Sequence, residues 1–129
     1  MKTKTALLLA LMLPACLGIY SREGELMPAL SLLWSTEIAV QVKDAINHDA
    51  LPPGVTAEQA AASSKAMQDA LDSGDRERVA AVDWVTLKAV ALAGVDAAVA
   101  AGTVDPDNAP SLRESVNQFE KKRLILLNR

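Results

Sequence analysis

Apolar residues along most of this chain recur every three or four positions, the spacing at which side chains share one face of an α-helix. Four segments show this pattern, and none of the chain alternates strictly between apolar and polar residues as a half-buried strand would. The pattern predicts an all-α fold. The predicted helices cover residues 28 to 47, 56 to 72, 76 to 101 and 111 to 127.

Residues typical of helix ends separate these segments. The run from Pro52 to Gly54 ends the first helix, because proline lacks a backbone donor and disfavours helical dihedrals in the residue before it. Thr56 with Gln59, and Ser111 with Glu114, have the spacing of capping boxes that begin the second and fourth helices. Short connections place successive helices antiparallel, so the sequence predicts a compact antiparallel four-helix bundle.

Proline is favoured in the first turn of a helix, so the first helix is predicted to begin near Pro28. Trp34 and Trp84 lie among apolar residues at helical spacing and are predicted to anchor the core. For Trp34, near the membrane-proximal end, contact with the lipid interface is the alternative. The third helix is the most apolar, and a row of small residues along it predicts the face that another helix approaches closely. That row is Ala89, Ala93, Ala97 and Ala101.

A membrane span is the alternative interpretation of the third helix. Its charged residues Asp83, Lys88 and Asp96 oppose insertion, each by about 2.5 to 3.5 kcal/mol near the centre of a bilayer. Alanine and glycine offset little of that cost. A core helix is therefore the favoured interpretation.

The start of the chain has a different pattern. Lys2 and Lys4 precede an apolar run from Ala6 to Leu13, and small residues then lead to Cys16, the chain's only cysteine. A basic end, a short apolar core and small residues before a cleavage site are typical of a secretory signal peptide. The run is too short to span a bilayer as a mature helix.

Residues 13 to 16, Leu-Pro-Ala-Cys, resemble the lipobox of bacterial lipoproteins, in which leucine, a small residue and glycine or alanine precede cysteine. The resemblance covers about the first 17 residues, and Pro14 stands where alanine, serine, threonine or valine is commoner. It implies that the signal peptide, residues 1 to 15, is cleaved and that Cys16 carries a diacylglycerol, with a further fatty acid such as palmitate on its amino group. Residues 16 to 27 would then be a tether and residues 28 to 129 the helical domain.

The same resemblance bears on location. In lipoproteins of enteric-type bacteria an aspartate directly after the cysteine retains the protein at the inner membrane, and here that residue is Leu17. The expectation is an anchor in the outer membrane, on its periplasmic face. The alternative is an ordinary signal peptide cut after Ala15, which would give a protein that is soluble in the periplasm or secreted.

Removal of the signal peptide would leave 114 residues, enough for one domain with a modest core. All 16 acidic residues but only 11 of the 13 basic ones lie in that part, so its net charge is about −5 and nucleic acid is not an expected partner. With Cys16 lipidated no disulfide can form, and packing alone must hold the domain.

The sequence offers little material for catalysis or metal binding. His48 is the only histidine, and it follows the end of a predicted helix where a solvated or capping role is expected. The stretch from Asp105 to Asn108 begins like a calcium loop, but Pro110 replaces the glycine and Val116 the final glutamate of that motif. No catalytic, cofactor-binding or metal-binding residue is predicted, and the protein is not expected to be an enzyme.

The end of the fourth helix is the first candidate for a contact surface. Its basic residues give a local positive charge in an acidic domain, and the apolar run that follows cannot fit on one helix face. The candidate partner residues are Lys121, Lys122, Arg123, Leu124 and Leu127. The alternatives are that the cations offset the helix dipole and that the apolar run is buried. The loop from His48 to Val55 is a second candidate surface.

These observations favour a lipid-anchored envelope protein that acts as a non-enzymatic accessory module and binds a protein partner. One alternative is a periplasmic carrier that holds a small apolar ligand between its alanine-rich helices. Another is a lipoprotein by which a resident phage excludes competitors at the cell surface, which only the genomic neighbourhood would distinguish.

Overall fold

The computed structural model describes residues 22 to 128, with side chains from Leu26 onward. The predicted signal peptide, the lipobox and Cys16 lie outside the described residues. Within them the fold is all-helical, as predicted from the apolar spacing. The elements are α1 (Arg22–Leu33), a π-helical segment (Trp34–Ile38), α2 (Ala39–Asn47), α3 (Ala57–Ser73), α4 (Arg76–Ala81), α5 (Trp84–Ala100), a 3-10 turn (Pro106–Asn108) and α6 (Ala109–Leu127).

The helix α1, the π segment and α2 follow one another without a break and together form the N-terminal helix. At 1.5 Å per residue this helix is about 38 Å long. The predicted start at Pro28 is wrong, because Pro28 lies inside α1, and Arg22 to Met27, predicted as tether, are helical. Leu26 and Met27 pack against the core, and this contact extends the helix toward the N-terminus past the proline.

The π segment keeps one row of large side chains on the buried face of the N-terminal helix. Leu30, Trp34, Ile38 and Val42 are each at most 1% exposed and lie four residues apart. In a regular α-helix that spacing would rotate the row by about 40° at each step. The backbone N–H of Ala39 donates to the Trp34 carbonyl five residues earlier, so the turn holds one more residue and the row stays in line.

The third predicted helix is divided in two, so residues 22 to 128 form five helices rather than four. Val82 is extended, and the Asp83 carboxylate accepts hydrogen bonds from the Thr86 backbone N–H (3.1 Å) and hydroxyl (2.7 Å), which caps the start of α5. The bend buries Val79, Val82 and Trp84 together, which one straight helix could not do.

The close approach between α2 and α5 occurs on a different row of small residues from the predicted one. Ala91, Gly94 and Ala98 are buried, whereas Ala89 and Ala101 are exposed and Ala93 and Ala97 are only partly covered. A Cβ atom at position 94 would lie 1.8 Å from the Gln41 carbonyl oxygen, so only glycine fits there. Alanine is too weakly apolar to fix the orientation of a helix, and the larger residues Leu87, Val90 and Val95 fix it instead.

The two tryptophans are core residues, as predicted, and both contact Phe119 on α6. The ring centroid of Phe119 lies 5.9 Å from that of Trp34 and 4.8 Å from that of Trp84, and all three side chains are at most 5% exposed. The trio joins the N-terminal helix, α5 and α6 at one point. Tilted aromatic contacts of this kind add to the stabilisation that burial gives.

One of the two predicted capping boxes forms. Thr56 and Gln59 exchange both hydrogen bonds at the start of α3. The fourth helix, however, begins at Ala109 and continues from the 3-10 turn, so Ser111 already lies within it. Asp105 caps that turn by accepting from the Asp107 backbone N–H, which makes a second box unnecessary.

The side-chain contacts fix the directions of three helices. Trp34 contacts Phe119, and Glu37 accepts a hydrogen bond from Ser115. Glu37 lies three residues after Trp34 whereas Ser115 lies four residues before Phe119, so the N-terminal helix and α6 are antiparallel. Ion pairs between Arg113 and Asp96 and between Lys88 and Glu120 make α5 and α6 antiparallel as well. The start of α1 and the last turns of α6 therefore lie at the same end of the molecule, and residues 48 to 56 follow the opposite end of the N-terminal helix.

Candidate interaction surface

The last two turns of α6 carry the residues predicted to form a partner surface. The apolar run there is divided between the core and the solvent, because Leu126 is 2% exposed whereas Leu124 and Ile125 are each 49% exposed. Leu127 is half-buried. The alternative that the whole run is buried is therefore wrong for Leu124 and Ile125.

The three basic residues of this segment differ in their environments. Lys121 is exposed and Lys122 is half-buried. Arg123 is also half-buried, and its Nε atom is buried without a hydrogen-bond partner among the described residues. Burial lowers the pKa of the Arg123 guanidinium, and the charge of Glu120 acts in the opposite direction. Lys121 and Lys122 are therefore the cations available to a partner, while Arg123 belongs largely to the packing between helices.

Glu120 links α6 to α5 at this end of the molecule. Its carboxylate accepts from Lys88 Nζ at 2.8 Å and from Trp84 Nε1 at 3.1 Å. These two hydrogen bonds, the one from Lys88 first, lower the pKa of the Glu120 carboxyl. Glu120 is thus held as an anion by its own neighbours, and its charge is not free for an external ligand.

The same register brings an apolar residue that the sequence analysis missed next to this segment. Its neighbour Trp84 contacts both Phe119 and Glu120, so Val85 lies at the start of α5 beside the turn of α6 that precedes Lys121. Val85 is 80% exposed. We call Val85, Lys121, Lys122, Leu124 and Ile125 the α6-end surface. The pattern Asp83-x-x-Thr86, a cap signal, could have shown that Val85 lies in the first turn of a new helix, on its exposed side.

The loop after the N-terminal helix is the second surface predicted from the sequence. His48 is exposed, and its backbone N–H donates to the Asp44 carbonyl at 3.0 Å to end α2. Asp49 has a backbone φ of +52°, which is uncommon for residues other than glycine. Leu51 and Val55 pack against the core and hold the loop between them. The loop therefore presents fixed backbone at the end of the molecule opposite the α6-end surface.

A shallow groove of about 460 Å³ lies between the N-terminal helix and α3. Its floor contains Trp34, Val42, Ile46 and Ala61, and the ion pair between Lys65 and Asp69 (2.9 Å) lies at its rim. The groove exists because α3 is rich in alanine and leaves space that larger side chains would fill. It is the feature of the described residues that bears on the carrier alternative.

Among residues 22 to 128, no three histidine, cysteine, aspartate or glutamate side chains are grouped so that they could hold a metal ion. In the same part of the chain, no helix combines the length and the apolar character that crossing a membrane requires. Comparison of the chain with family models, with curated proteins and with solved structures finds no match.

Proposed function

We propose that this protein is a lipid-anchored envelope protein of a bacterium and acts as a non-enzymatic interaction module. The sequence from Leu13 to Cys16 supports cleavage before Cys16 and acylation of that residue, and Leu17 supports the outer membrane as its location. The domain is proposed to be a four-helix bundle of the N-terminal helix, α3, α5 and α6, in which α4 is a short link.

The observation that carries this proposal is the unbroken N-terminal helix. It begins at Arg22, six residues after Cys16, and runs for about 38 Å to Asn47. Six residues of chain reach at most about 20 Å, so a lipid on Cys16 holds the start of α1 close to the bilayer. The loop from His48 to Val55 is then carried away from the membrane, where a protein partner can reach it.

Metabolic labelling with an alkyne analogue of palmitate tests the anchor. We expect label on the wild-type protein and on a Leu17→Ala control, and loss of label in Cys16→Ser, because only Cys16 can receive the diacylglycerol that precedes full acylation. A wild-type protein that carries no fatty acid and fractionates with soluble proteins would show that it is a soluble periplasmic or secreted protein.

Site-specific photo-cross-linking in intact cells tests where the partner binds. A photoreactive residue in place of His48 or Pro53, both exposed in the loop, is expected to give a discrete product with another protein. The matched control position is Lys65, which is exposed on α3 away from the loop. Identical products at the loop and at Lys65, or none at either, would contradict a partner site in the loop.

The groove between the N-terminal helix and α3 favours one second candidate, a carrier for a small apolar ligand. Native mass spectrometry of gently extracted protein would then show a stoichiometric small molecule. Ala61→Leu should fill the groove and abolish binding of the small molecule. Ala80→Leu, at an exposed position outside the groove, should leave the binding unchanged. Extraction of an empty wild-type protein would speak against the carrier.

A further inference from the structure

We propose that the α6-end surface binds the anionic headgroups of the bilayer beside the lipid anchor. This inference rests on the anchor of the proposed function and adds to it an orientation, in which the last turns of α6 face the lipid and the loop from His48 to Val55 faces away. The membrane surface, rather than a protein, is the occupant to which the observations point.

The first observation is the position of the start of α1 in the fold. The Phe119 ring lies 5.9 Å from the Trp34 ring, and Ser115 donates to Glu37 at 3.4 Å. This antiparallel register continues toward the start of α1 and the end of α6, and it brings Leu26 near Leu126, both in the same apolar cluster. The start of α1 therefore lies beside the α6-end surface.

The second observation is the length of chain between the anchor and the domain. Five residues lie between Cys16 and Arg22, and the six steps of chain from one to the other reach at most about 20 Å. A folded partner of about 100 residues has a radius of gyration of about 13 Å and is therefore about 30 Å or more across, which is wider than this gap. Lipid headgroups, in contrast, can contact this end of the molecule while the acyl chains on Cys16 stay in the bilayer.

The third observation is the chemistry of the surface. Val85 is 80% exposed, and Leu124 and Ile125 are each 49% exposed. Lys121 and Lys122 stand beside them, in a chain whose net charge is −3. Apolar side chains flanked by lysines suit the boundary between acyl chains and anionic headgroups. Glu120, the acidic residue of α6 next to this segment, is already bound by Lys88 and Trp84. Asp75 and Glu77 lie on either side of Arg76, which donates to the Leu126 carbonyl at 3.4 Å, so Lys121 and Lys122 must outweigh these two acids at the membrane.

A fluorescence experiment on the full lipidated protein tests the orientation. Because acylation uses the Cys16 thiol, Leu124→Cys supplies a single thiol for a fluorophore, and Ile125→Cys supplies a second position should the first variant unfold. In vesicles of phosphatidylcholine and phosphatidylglycerol that contain a nitroxide-labelled lipid, we expect quenching several times stronger at these positions than at His48→Cys. Comparable quenching at both ends of the molecule would overturn the proposal.

The lysines have their own test in the same vesicles. Each lysine near an anionic surface contributes about fivefold to the partition between docked and undocked orientations, so the pair Lys121→Gln and Lys122→Gln should reduce the docked population strongly. The matched control is the pair Lys43→Gln and Lys65→Gln, exposed lysines on α2 and α3. Unchanged quenching in the first pair, or equal quenching in vesicles of phosphatidylcholine alone, would contradict an anionic headgroup site.

Failure of the anchor gives a different result from failure of the orientation. A protein without acyl groups shows its unmodified mass and does not float with the vesicles, which refutes the proposed function before any quenching is measured. A protein that floats but shows an unquenched label at Leu124 refutes the orientation alone. A photo-cross-link from position 124 to another protein in cells would likewise assign this surface to a protein instead of the membrane.

Discussion

Gly94 shows how one residue decides the separation of two helices. Its missing side chain lets α5 lie against the backbone of Gln41, and an added Cβ would approach the Gln41 carbonyl oxygen to 1.8 Å. The atom met is backbone rather than the flexible end of a side chain, so relief requires the helices to move apart. Gln41 is itself only 4% exposed, so the contact lies in the interior of the domain.

We expect Gly94→Ala to destabilise the protein by about 1 to 3 kcal/mol, because overpacking forces α2 and α5 apart. The sign of the stability change distinguishes a close contact from an exposed site, since glycine to alanine at an exposed helix position stabilises by up to about 1 kcal/mol through helix propensity. Urea unfolding followed by circular dichroism measures the difference. Ala89→Gly, at an exposed position of the same helix, is the control and should cost no more than about 1 kcal/mol. A Gly94→Ala protein as stable as the wild type would show that the two helices are not in contact there.

A second residue-scale prediction concerns Glu120 and pH. Because the pKa of Glu120 is lowered in the folded state, its ionised form stabilises the fold above the pKa of the unfolded chain. That contribution disappears as the pH falls through the folded-state pKa. The side chains of Glu120 and Lys88 are each about one third exposed, so the ion pair should contribute about 1 kcal/mol or less to the free energy of unfolding at neutral pH.

Urea midpoints of the wild type and Glu120→Gln should therefore differ at pH 7 and converge in acid. Lys88→Met provides the control, because a double variant should lose less than the sum of the single losses when the two side chains interact. Parallel stability curves for the wild type and Glu120→Gln from neutral to acidic pH would contradict the assigned pair.

At the scale of elements, two departures from regular helix determine which side chains reach the core. The π segment retains the four-residue row from Leu30 to Val42 on one face, and the bend at Val82 and Asp83 turns Trp84 toward Phe119. Both departures have a sequence correlate, strict four-residue spacing in the first case and a capping aspartate in the second. Neither the spacing nor the aspartate predicts the departure by itself, because each also occurs in a regular helix.

The π segment makes the N-terminal helix tolerant of a deletion that an α-helix would not accept. Removing Thr36, which is exposed, should convert the π turn into α-helix and leave Trp34 and Ile38 on the buried face, because their spacing falls from four residues to three. We expect a folded protein with little loss of helical signal. Deleting Ala62, exposed within the regular helix α3, is the matched control, and it should rotate the residues on one side of the gap by about 100° and unfold or strongly destabilise the domain. Equal damage from the two deletions would argue that the π segment does not act as an insertion.

At the scale of the whole molecule, one apolar cluster connects every helix of the described chain. It includes Leu30 from α1, Met67 from α3, Val79 from α4, Leu87 from α5 and Val116 from α6. A short helix such as α4 has few residues of its own and depends on this shared core. The arrangement gives the long N-terminal helix a rigid support, which the proposed separation of the anchor from the loop requires.

Since the core is shared, we expect unfolding in a single cooperative transition. Calorimetry should give a calorimetric enthalpy equal to the van't Hoff enthalpy, and circular dichroism and tryptophan fluorescence should report the same midpoint. Separate melting of α3 and α4, the alanine-rich part, would appear as two transitions and would show that the cluster holds less tightly there.

The amino-acid sequence by itself determined the fold class, most helix boundaries to within two residues, the Thr56 and Gln59 cap, and the burial of both tryptophans. These features depend on local spacing and on residue size, which a single segment reveals. The sequence also contains the run Leu-Pro-Ala-Cys at residues 13 to 16, which resembles a lipobox and on which the proposed anchor depends.

Only the tertiary structure decided which small residues of α5 meet another helix, where the third predicted helix bends, and which of Lys121 to Leu127 are exposed. Alanine is compatible with a buried or an exposed face, so its position depends on the larger residues of neighbouring helices. The pairing of α1 with α6, which brings the start of the described chain next to the α6-end surface, joins residues about 80 to 100 positions apart in the sequence. Contacts at that separation follow from how all the helices pack together, and no local pattern specifies them.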